Sequence, residues 1–424
     1  MSAAKSRAAT GARGEGSFLP NLGKRQASGR RWAAAFAAAT IAAVLVLGAL
    51  VASIVNDAFG LVAMEFTVDP ATLAPGGDIE KLSDAELVAA LEDNLKSRRL
   101  RSLGNEKPLA ERERADLLAL VEDEVIGWEV VETFSLAESL FGRAGVDAFM
   151  AAEHPEAKLV FRSWVNARFL AASQSATAID AGVRSALIGT LMTILITVAT
   201  AFPIGIAAAI WLEEYAKDDK WNRFIRVNIY NLAGVPSIIY GMLGLAIFVR
   251  ALEPVTSGAA FGAAADPTGA NGRTILSAGL TLALLVLPVI IINAQEAFRA
   301  VPRTLRESGY AVGATKWQVV WHHVLPAAFD RVLTGTIVAV SRAIGETAPL
   351  VVVGASTFLT QDPTSVFSKF TTLPIQIYQW TARPQEDFHN IAAAAILVLL
   401  VLMLSLNAFA IILRNRLRAK KRFA

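Results

Sequence analysis

The strongest constraint on this sequence is a series of long apolar runs that contain no charged residue. Five such runs occur, at 32–56, 185–212, 227–249, 274–295 and 390–413. Each can cross a hydrocarbon core of about 30 Å as an α-helix that rises about 1.5 Å per residue. With 54 % hydrophobic residues and a mean hydropathy of +0.46, the 424-residue chain is predicted to be an all-α, polytopic membrane protein.

A sixth span is predicted at 332–360, where only Arg342 and Glu346 interrupt the apolar run. Both chain ends are basic, which favours a cytoplasmic position for each and therefore an even number of spans. The inner loops are then 213–226 and 296–331, and the outer loops are 253–273 and 361–389. Since lysine and arginine concentrate in the inner loops, the pI of about 9.1 indicates membrane orientation, and not nucleic-acid binding.

The segments between and beyond the spans define the remaining organisation. Residues 1–31 are rich in Ala, Gly, Ser and basic side chains, so we expect a disordered cytoplasmic tail. The first apolar run exceeds the roughly 7–15 residues of a signal-peptide core, so 32–56 is predicted to remain as the first transmembrane helix. Residues 57–184 are predicted to form an extracytoplasmic domain, 185–413 the membrane core, and 414–424 a second basic tail.

The extracytoplasmic segment carries signals for helices. Ser83 precedes Glu86 by three residues and apolar side chains follow on one face, which predicts a capped amphipathic helix. A second helix is predicted over 109–125 and a third after Ser135. The domain is therefore expected to be mostly helical. Two roles fit these patterns: an insertion that packs on its own membrane part, or a surface that contacts a partner.

The residue inventory argues against an enzyme. Cysteine is absent, which excludes thiol nucleophiles and thiolate metal sites. No Gly-x-x-x-x-Gly-Lys-Ser/Thr pattern occurs that could hold nucleotide phosphates. Arg342 with Glu346, the sole ionisable pair predicted at membrane depth, provides neither a nucleophile with its base nor a metal pair. We therefore expect no catalysis, no metal and no bound cofactor in this chain.

The inner loop 296–331 has the pattern of a short helix at the membrane surface. A helix-compatible stretch at 303–310 is separated from a second stretch at 316–324 by a glycine that permits a turn. The positions that define the pattern are Glu307, Gly313, Lys316, Leu325 and Pro326. Their spacing predicts two helical stretches that lie on the membrane surface, with the proline preceding the next span.

This loop resembles the EAA loop of ABC importer permeases. The sequence matches that pattern at Glu307, Gly313, Leu325 and Pro326. It departs from the pattern at Ser308, Gly309 and His323, where alanine, alanine and an aliphatic residue are usual. The resemblance implies a coupling helix that docks on a separate ATPase subunit, present in two copies, so that ATP is used by the partner.

Three further stretches resemble the PstA-type permease of the phosphate ABC importer. They are AGVPSIIYG at 233–241, SRAIGETAPL at 341–350 and LPIQIYQW at 373–380. The resemblance implies a translocation path for inorganic phosphate across a bacterial inner membrane, a second permease of the PstC type and a periplasmic phosphate-binding protein. Two alternatives are a permease for another oxyanion, such as sulfate or molybdate, and a membrane sensor that does not transport.

Arg342 and Glu346 are the candidate path residues. A lone charge at the bilayer centre costs roughly 2.5–3.5 kcal/mol, so two charges four residues apart are expected to pair and to face the protein interior or a water-filled path. A guanidinium group also offers phosphate two parallel hydrogen bonds. Gly345 and Pro349 add a flexible step and a missing backbone hydrogen bond. We infer a gating helix, with a structural ion pair as the alternative.

Overall fold

The computed structural model describes residues 22–74, 79–95, 97–262, 270–355, 358–359 and 361–422. The chain divides into two compact units, Met1–Ile54 and Val55–Ala424. The first unit contains most of helix α1, Leu22–Ala58, and the second contains every later element.

Helices account for most of the described residues, together with three strands. Those that precede the membrane core are α1 Leu22–Ala58, β1 Phe59–Phe66, α2 Pro70–Leu73, α3 Asp84–Asn94, α4 Ser97–Glu106, α5 Arg114–Leu120, β2 Trp128–Thr133, α6 Leu136–Phe141, α7 Arg143–Glu153, β3 Lys158–Ser163 and α8 Ala167–Ala171. Those of the core are α9 Arg184–Ile210, α10 Lys220–Ala233, α11 Ser237–Gly244, α12 Glu253–Thr256, α13 Ile275–Arg299, α14 Arg303–Ala311, α15 Lys316–Val319, α16 Leu325–Gly345, α17 Ala348–Val353, α18 Leu373–Thr381 and α19 Glu386–Arg422. Wider π-helical turns occur at Val121–Ile126, Trp211–Tyr215, Leu245–Ala251 and Val320–Val324.

The number of membrane helices agrees with the prediction. Within the described residues, five helices are long and apolar enough to cross a membrane: Gly23–Ala58, Arg184–Tyr215, Ile275–Arg299, Lys316–Gly345 and Glu386–Arg416. A sixth crossing is obtained when Lys220–Ala233 and Ser237–Ala251, which meet at 104°, are counted as one bent span. The predicted all-α polytopic fold is confirmed.

Helix α1 begins earlier than the first apolar run. The prediction of disorder over 1–31 is wrong for residues 22–31, which are helical, while 1–21 lie outside the described residues. Lys24, Arg25 and Gln26 are good helix formers. Once the apolar run has nucleated a helix, each residue added at its end is fixed at the gain of one hydrogen bond. The helix therefore extends beyond the run.

The third predicted span, 227–249, is not one straight helix. Helix α10 ends at Ala233 and α11 begins at Ser237, with the 104° bend between them. Pro236 has no N–H and disfavours helical backbone at Val235, so the chain must leave the helix there. The apolar run is therefore divided between the second half of α10 and α11 with the π-helical turn that follows it.

The span predicted at 332–360, the fifth in chain order, differs from the structure at both ends. The helix is continuous from Lys316 to Gly345, so the stretch 316–324 is not a separate surface helix as predicted. Pro326 lies in the first turn of α16, directly after a π-helical turn, and such a turn accommodates a residue that cannot continue the regular bonding pattern. The helix ends at Gly345 and a short helix, α17, follows.

Helix α13 is the centre of the membrane core. In its most apolar stretch 67 % of the residues are buried, compared with 39 % for the span that contains α9. Glycines allow α9 and α11 to lie close to α13. A Cβ at Gly279 would lie 2.6 Å from Ile196, and one at Gly244 would lie 2.1 Å from Thr281. Small residues give membrane helices this close packing, which supplies dispersion energy that lipid cannot replace.

The segment 57–184 is mostly helical, as predicted, but it also contains an antiparallel sheet that was not predicted. The strand order is β2-β1-β3. The predicted cap is present, since Ser83 caps α3 with Glu86, and the helix predicted after Ser135 begins there with a cap formed by Ser135 and Glu138. The Ser83 hydrogen bonds lower the pKa of Glu86 because they favour its charged form.

The sheet and α8 pack on the membrane core. Val62, Trp164 and Phe169 share one apolar cluster with residues of α18 and of the start of α19. The rings of Phe169 and Trp380 lie 6.1 Å apart. This arrangement accords with an insertion that packs on its own membrane part, the first of the two roles considered for it.

A substitution at Gly189 tests the packing of the core. A Cβ at Gly189 would lie 2.1 Å from the backbone oxygen of Thr371, so Gly189→Val should lower the free energy of unfolding by about 1–3 kcal/mol. The unfolding midpoint of the purified protein in detergent measures this. The matched change Gly48→Val, where no atom lies within 4 Å of the added Cβ, should shift the midpoint much less, and equal shifts would contradict the packing argument.

Candidate coupling and translocation sites

The predicted coupling segment forms a helix followed by a sharp turn. Helix α14 covers Arg303–Ala311, and Gly313 adopts φ +81°, a left-handed conformation that favours glycine. Thr315 then caps the next helix through reciprocal hydrogen bonds with Gln318. Glu307 lies on the exposed face of α14 and Lys316 is the first residue of the second helix. The helix and glycine turn predicted from the sequence are therefore both present.

The unusual glycine at 309 has a packing reason. Gly309 is buried, and a Cβ there would lie 2.9 Å from Cγ2 of Val319 and 3.3 Å from the ring of His323. The smaller residue lets α14 pack closely against the start of the next helix. His323, which stands where an aliphatic residue is usual, lies in the same contact. The two departures from the EAA pattern, at 309 and 323, therefore occur together.

Two ion pairs join α14 and the end of α13 to the π-helical turn that follows α9. Arg306 donates to Glu214 at 2.7 Å and also to the backbone oxygens of Phe298 and Val301. The side chains of Arg306 and Glu214 are 18 % and 6 % exposed. The neighbouring pair joins Arg299 to Glu213 at 2.7 Å. A displacement of α14 must therefore act on α9 and α13 as well as on the helix that follows.

Sequence reasoning did not identify these contacts. The signal available was a pair of acidic residues, Glu213 and Glu214, directly after an apolar run and opposite a basic inner loop. Lys316 was predicted to belong to the docking surface, and its ammonium group lies 5.1 Å from the ring centre of Tyr215 in the same segment. Val312, beside the glycine turn, is 83 % exposed.

Arg342 and Glu346 lie at the end of a helix and not within a continuous one. Glu346 is the residue after α16 and has extended backbone, while α17 begins two residues later with Pro349 in its first turn. Arg342 Nε and Glu346 Oε1 are 3.2 Å apart, as the four-residue spacing predicted. The prediction of a pair in mid-helix is corrected to a pair at a helix break, because Pro349 and Gly345 together interrupt the bonding pattern.

Packing places this break near the middle of α13. Before the break, Gly335 of α16 contacts Asn293, in the last third of α13. After it, α17 packs on α11, whose Gly244 contacts Thr281, in the first third of α13. The break at 345–348 lies between these two levels, so the charged pair is at mid-membrane depth if α13 spans the membrane.

The two broken segments of the core pack directly on each other. A Cβ added to Gly241 of α11 would lie 2.7 Å from Cα of Pro349 in α17. Gly345 has no neighbouring atom within 4 Å of an added Cβ, whereas Pro349 is buried. Pro349 is thus fixed in the core and Gly345 is the freer of the two candidate gating residues.

One helix connects the predicted coupling residues with the predicted path residues. The segment Lys316–Gly345 begins at the turn that contains Gly313 and ends at the Arg342–Glu346 pair. Leu325 and Pro326 lie within it, after the π-helical turn. A polytopic core with a helix and glycine turn at one end and a helix break beside a charged pair is the arrangement expected of a membrane permease.

Residues 201–419 match the family described as "Binding-protein-dependent transport system inner membrane component". The chain belongs to this family of ABC importer permeases. The family implies an ATPase and a substrate-binding protein as partners, and it supports the prediction of a multi-pass membrane protein that is not an enzyme.

Several curated proteins are similar to this chain. It is 30 % identical over 262 residues to the "Probable ABC transporter permease protein YqgI" of Bacillus subtilis, covering 58 % of this chain and 83 % of that protein. It is 33 % identical over 235 residues to the "Phosphate transport system permease protein PstA 1" of Mycobacterium tuberculosis, covering 55 % and 70 %. The resemblance to PstA-type permeases is thereby confirmed.

Other relatives are matched over less of their length or only in structure. The "Phosphate transport system permease protein PstA homolog" of Mycoplasma pneumoniae is 39 % identical over 164 residues, which are 39 % of this chain and 24 % of that protein. The permease of an inward-facing MetNI methionine ABC transporter superposes with a TM-score of 0.39 and 16 % identity, covering 56 % of this chain and 94 % of that one.

The buried ion pair predicts unequal effects of two neighbouring substitutions. Glu214→Gln should leave the largely buried Arg306 without its counter-charge and destabilise the protein by about 3 kcal/mol. Glu213→Gln breaks a pair whose arginine side chain is 46 % exposed and should cost about 1 kcal/mol or less. The unfolding midpoints of the two purified variants measure the difference, and similar midpoints would contradict the role of Glu214.

The glycine turn predicts where the ATPase subunit lies. In the assembled complex, a cysteine introduced at Val312 or at Lys316 should cross-link to the ATPase through a short amine-to-thiol reagent, because both positions are exposed. A cysteine at the exposed position Glu153, in the domain at the other end of the core, is the control. Equal labelling at Val312 and Glu153 would contradict the assignment of this turn to the docking surface.

Proposed function

We propose that this chain is the permease subunit of an ATP-driven importer of inorganic phosphate, and that it forms part of the translocation path. The observation that carries the proposal is the Arg342–Glu346 pair at a helix break inside the core. The names of relatives such as PstA 1 of Mycobacterium tuberculosis, a phosphate transport permease, support the choice of substrate.

The geometry of the pair suits a transient anion contact. The Arg342 side chain is 56 % exposed, whereas that of Glu346 is 18 % exposed, so the cation is the accessible partner. Nε faces Glu346, and within the described residues the two terminal nitrogens have no hydrogen-bond partner. Those nitrogens can bind two phosphate oxygens in parallel. Glu346 would hold the guanidinium in place and repel the anion until the path opens.

The coupling helix would deliver motion from the ATPase to this site. Closure of two ATPase copies would displace α14, and the displacement would pass along Lys316–Gly345, a single helix of 30 residues and therefore about 45 Å long. Because the helix ends at the break, its tilt would move Arg342 relative to α17. ATP would bind to the partner, and this chain would bind no cofactor.

The topology and partners of the complex belong to the same proposal. Both termini would be cytoplasmic, with 57–184 outside, because the basic residues concentrate at the chain ends and in the loops on the side of α14. A second permease of the PstC type would complete the path, and a periplasmic phosphate-binding protein would deliver the ion. Large apolar side chains such as Leu195 and Leu404 are exposed in this single chain, which suits contact with lipid or a partner helix.

Removal of the guanidinium tests the function. In cells that contain the whole complex, Arg342→Gln should reduce uptake of radiolabelled phosphate by at least about tenfold, because a hydrogen bond to a charged group contributes about 1.5–3 kcal/mol. The complex should still assemble. The matched control is Arg331→Gln, which removes an exposed positive charge from the same helix away from the break.

The same assay separates the alternatives. Unlabelled phosphate should suppress the uptake and unlabelled sulfate or molybdate should not; suppression by sulfate or molybdate would assign the chain to another oxyanion. No uptake of any of these ions by an intact complex would favour a sensor that does not transport. Normal phosphate uptake by the Arg342→Gln variant would leave the pair a structural role only.

A further inference from the structure

The π-helical turn Trp211–Tyr215 leaves a backbone oxygen available to another element. The last carbonyl groups of a helix have no partner within that helix. The wide turn adds to this, because Ala216 N donates to Trp211 O at 2.8 Å and is therefore not available to Leu212 O, its partner in a regular α-helix. Within the described residues, Leu212 O accepts a hydrogen bond instead from Nη2 of Arg226 in α10.

Three further elements place a cation against the same turn. The pairs are Arg299 of α13 with Glu213, Arg306 of α14 with Glu214, and Lys316 of α15 with the ring of Tyr215. The carboxyl end of a helix carries a partial negative charge, and two carboxylates there add to it, so cations from neighbouring elements stabilise this end. Together with Arg226, these cations fasten four elements of the core to one turn.

Arg226 is the directional link between α10 and this turn. Leu212 O is its one hydrogen-bond partner within the described residues, and its Nε is buried without a partner. Ile225 and Ile229 pack beside it on the apolar cluster that contains Leu212 and Phe298. Apolar contacts alone have no preferred direction, whereas a hydrogen bond does. The bond of Arg226 therefore fixes where α10 lies along the end of α9.

The 104° bend between α10 and α11 is braced by hydrogen bonds across it. The hydroxyl of Tyr240, a residue of α11 that is 4 % exposed, donates to Leu232 O in the last turn of α10 at 2.7 Å. Val235 N donates to the same oxygen at 3.0 Å. Because both sides of the bend share this oxygen, α10 and α11 are held at a fixed angle and a displacement of one is passed to the other.

Two routes of contact therefore lead from α14 to the helix break at 345–348. The first passes from Gly309, which packs on Val319, along the long helix that ends at the break. The second passes through the turn Trp211–Tyr215, α10 and α11, and reaches α17 where Gly241 approaches Pro349. Packed side chains and hydrogen-bond networks of this kind can carry coupling between distant sites. The two routes arrive on opposite sides of the break.

We propose that the turn Trp211–Tyr215 divides the motion of α14 between these two routes, and that Arg226 carries it to α10 and α11. The displacement of α11 then moves α17 as the long helix moves Arg342. Arg226 and Tyr240 are positioning residues, since they act on the path through α11. This inference rests on the proposed function in one respect, the transfer of motion from the ATPase to α14, and it does not depend on which ion is transported.

Two substitutions test the second route in the complete transporter, reconstituted in liposomes with its ATPase, second permease and loaded binding protein. Arg226→Met removes the donor to Leu212 O, and Tyr240→Phe removes the brace of the bend. Each should lower the uptake of radiolabelled phosphate per ATP hydrolysed at least about fivefold, because loss of a coupling contact changes coupling by about 0.5–2 kcal/mol. Hydrolysis should stay within about twofold of the wild-type rate, since the ATPase still closes on α14.

Two further variants are the controls. Arg226→Lys keeps a cation and one donor, and should return the ratio of uptake to hydrolysis to within about twofold of wild type. Arg223→Met removes an arginine of the same helix that pairs with Asp218 at 3.6 Å, with both side chains largely exposed, and should likewise leave the ratio within about twofold.

A structural role gives a different result. If Arg226 and Tyr240 only stabilise the fold, uptake and hydrolysis fall in proportion, and this outcome or an unchanged ratio would overturn the proposal. If Arg226→Met does not assemble, Tyr240→Phe decides, because Leu232 O keeps its bond from Val235 N. Uptake of sulfate in place of phosphate by the wild-type complex would refute the proposed substrate, and the ratio measured with sulfate would still test this route. No uptake of either ion would overturn both proposals.

Discussion

The core of this protein depends on two interrupted helices that cover each other's polar backbone groups inside a membrane. Irregular backbone is tolerated at membrane depth only where protein or water covers its polar groups. Helix α11 starts after the break at Pro236 and α17 starts after the break at Glu346, and they meet where Gly241 approaches Pro349. Each short helix covers the other, and both pack on α13. A larger residue at Gly241 would separate them.

The charged pair lies beside this contact between α11 and α17. Arg342 and Glu346 occupy the end of a long helix, next to a segment that the rest of the core holds in place. The other end of that helix is the capped turn at Thr315, fastened through α14 to α9 by the pair of Arg306 with Glu214. A buried pair of this kind fixes geometry more than it adds stability. The long helix therefore has one end tied to the predicted coupling segment and one end at the break.

Comparison with the sequence shows which features local patterns predict. The capping box at Ser83, the helix start after Ser135 and the turn at Gly313 followed from residues close together in the chain, and all are present. The sheet did not follow, because β1 pairs with strands that begin long after it in sequence. The contact of Arg306 with Glu214 was missed for the same reason: the two residues lie in different inner loops.

The sequence by itself determined the membrane class, the number of spans and the coupling motif, because the length of an apolar run and the spacing of a cap or turn are local quantities. Only the tertiary structure decided that the span 227–249 is bent, that the helix from Lys316 continues through Pro326, and that Arg342 and Glu346 lie at a break. A proline permits either a kink or an ending, and the choice depends on which neighbours can cover the freed backbone groups.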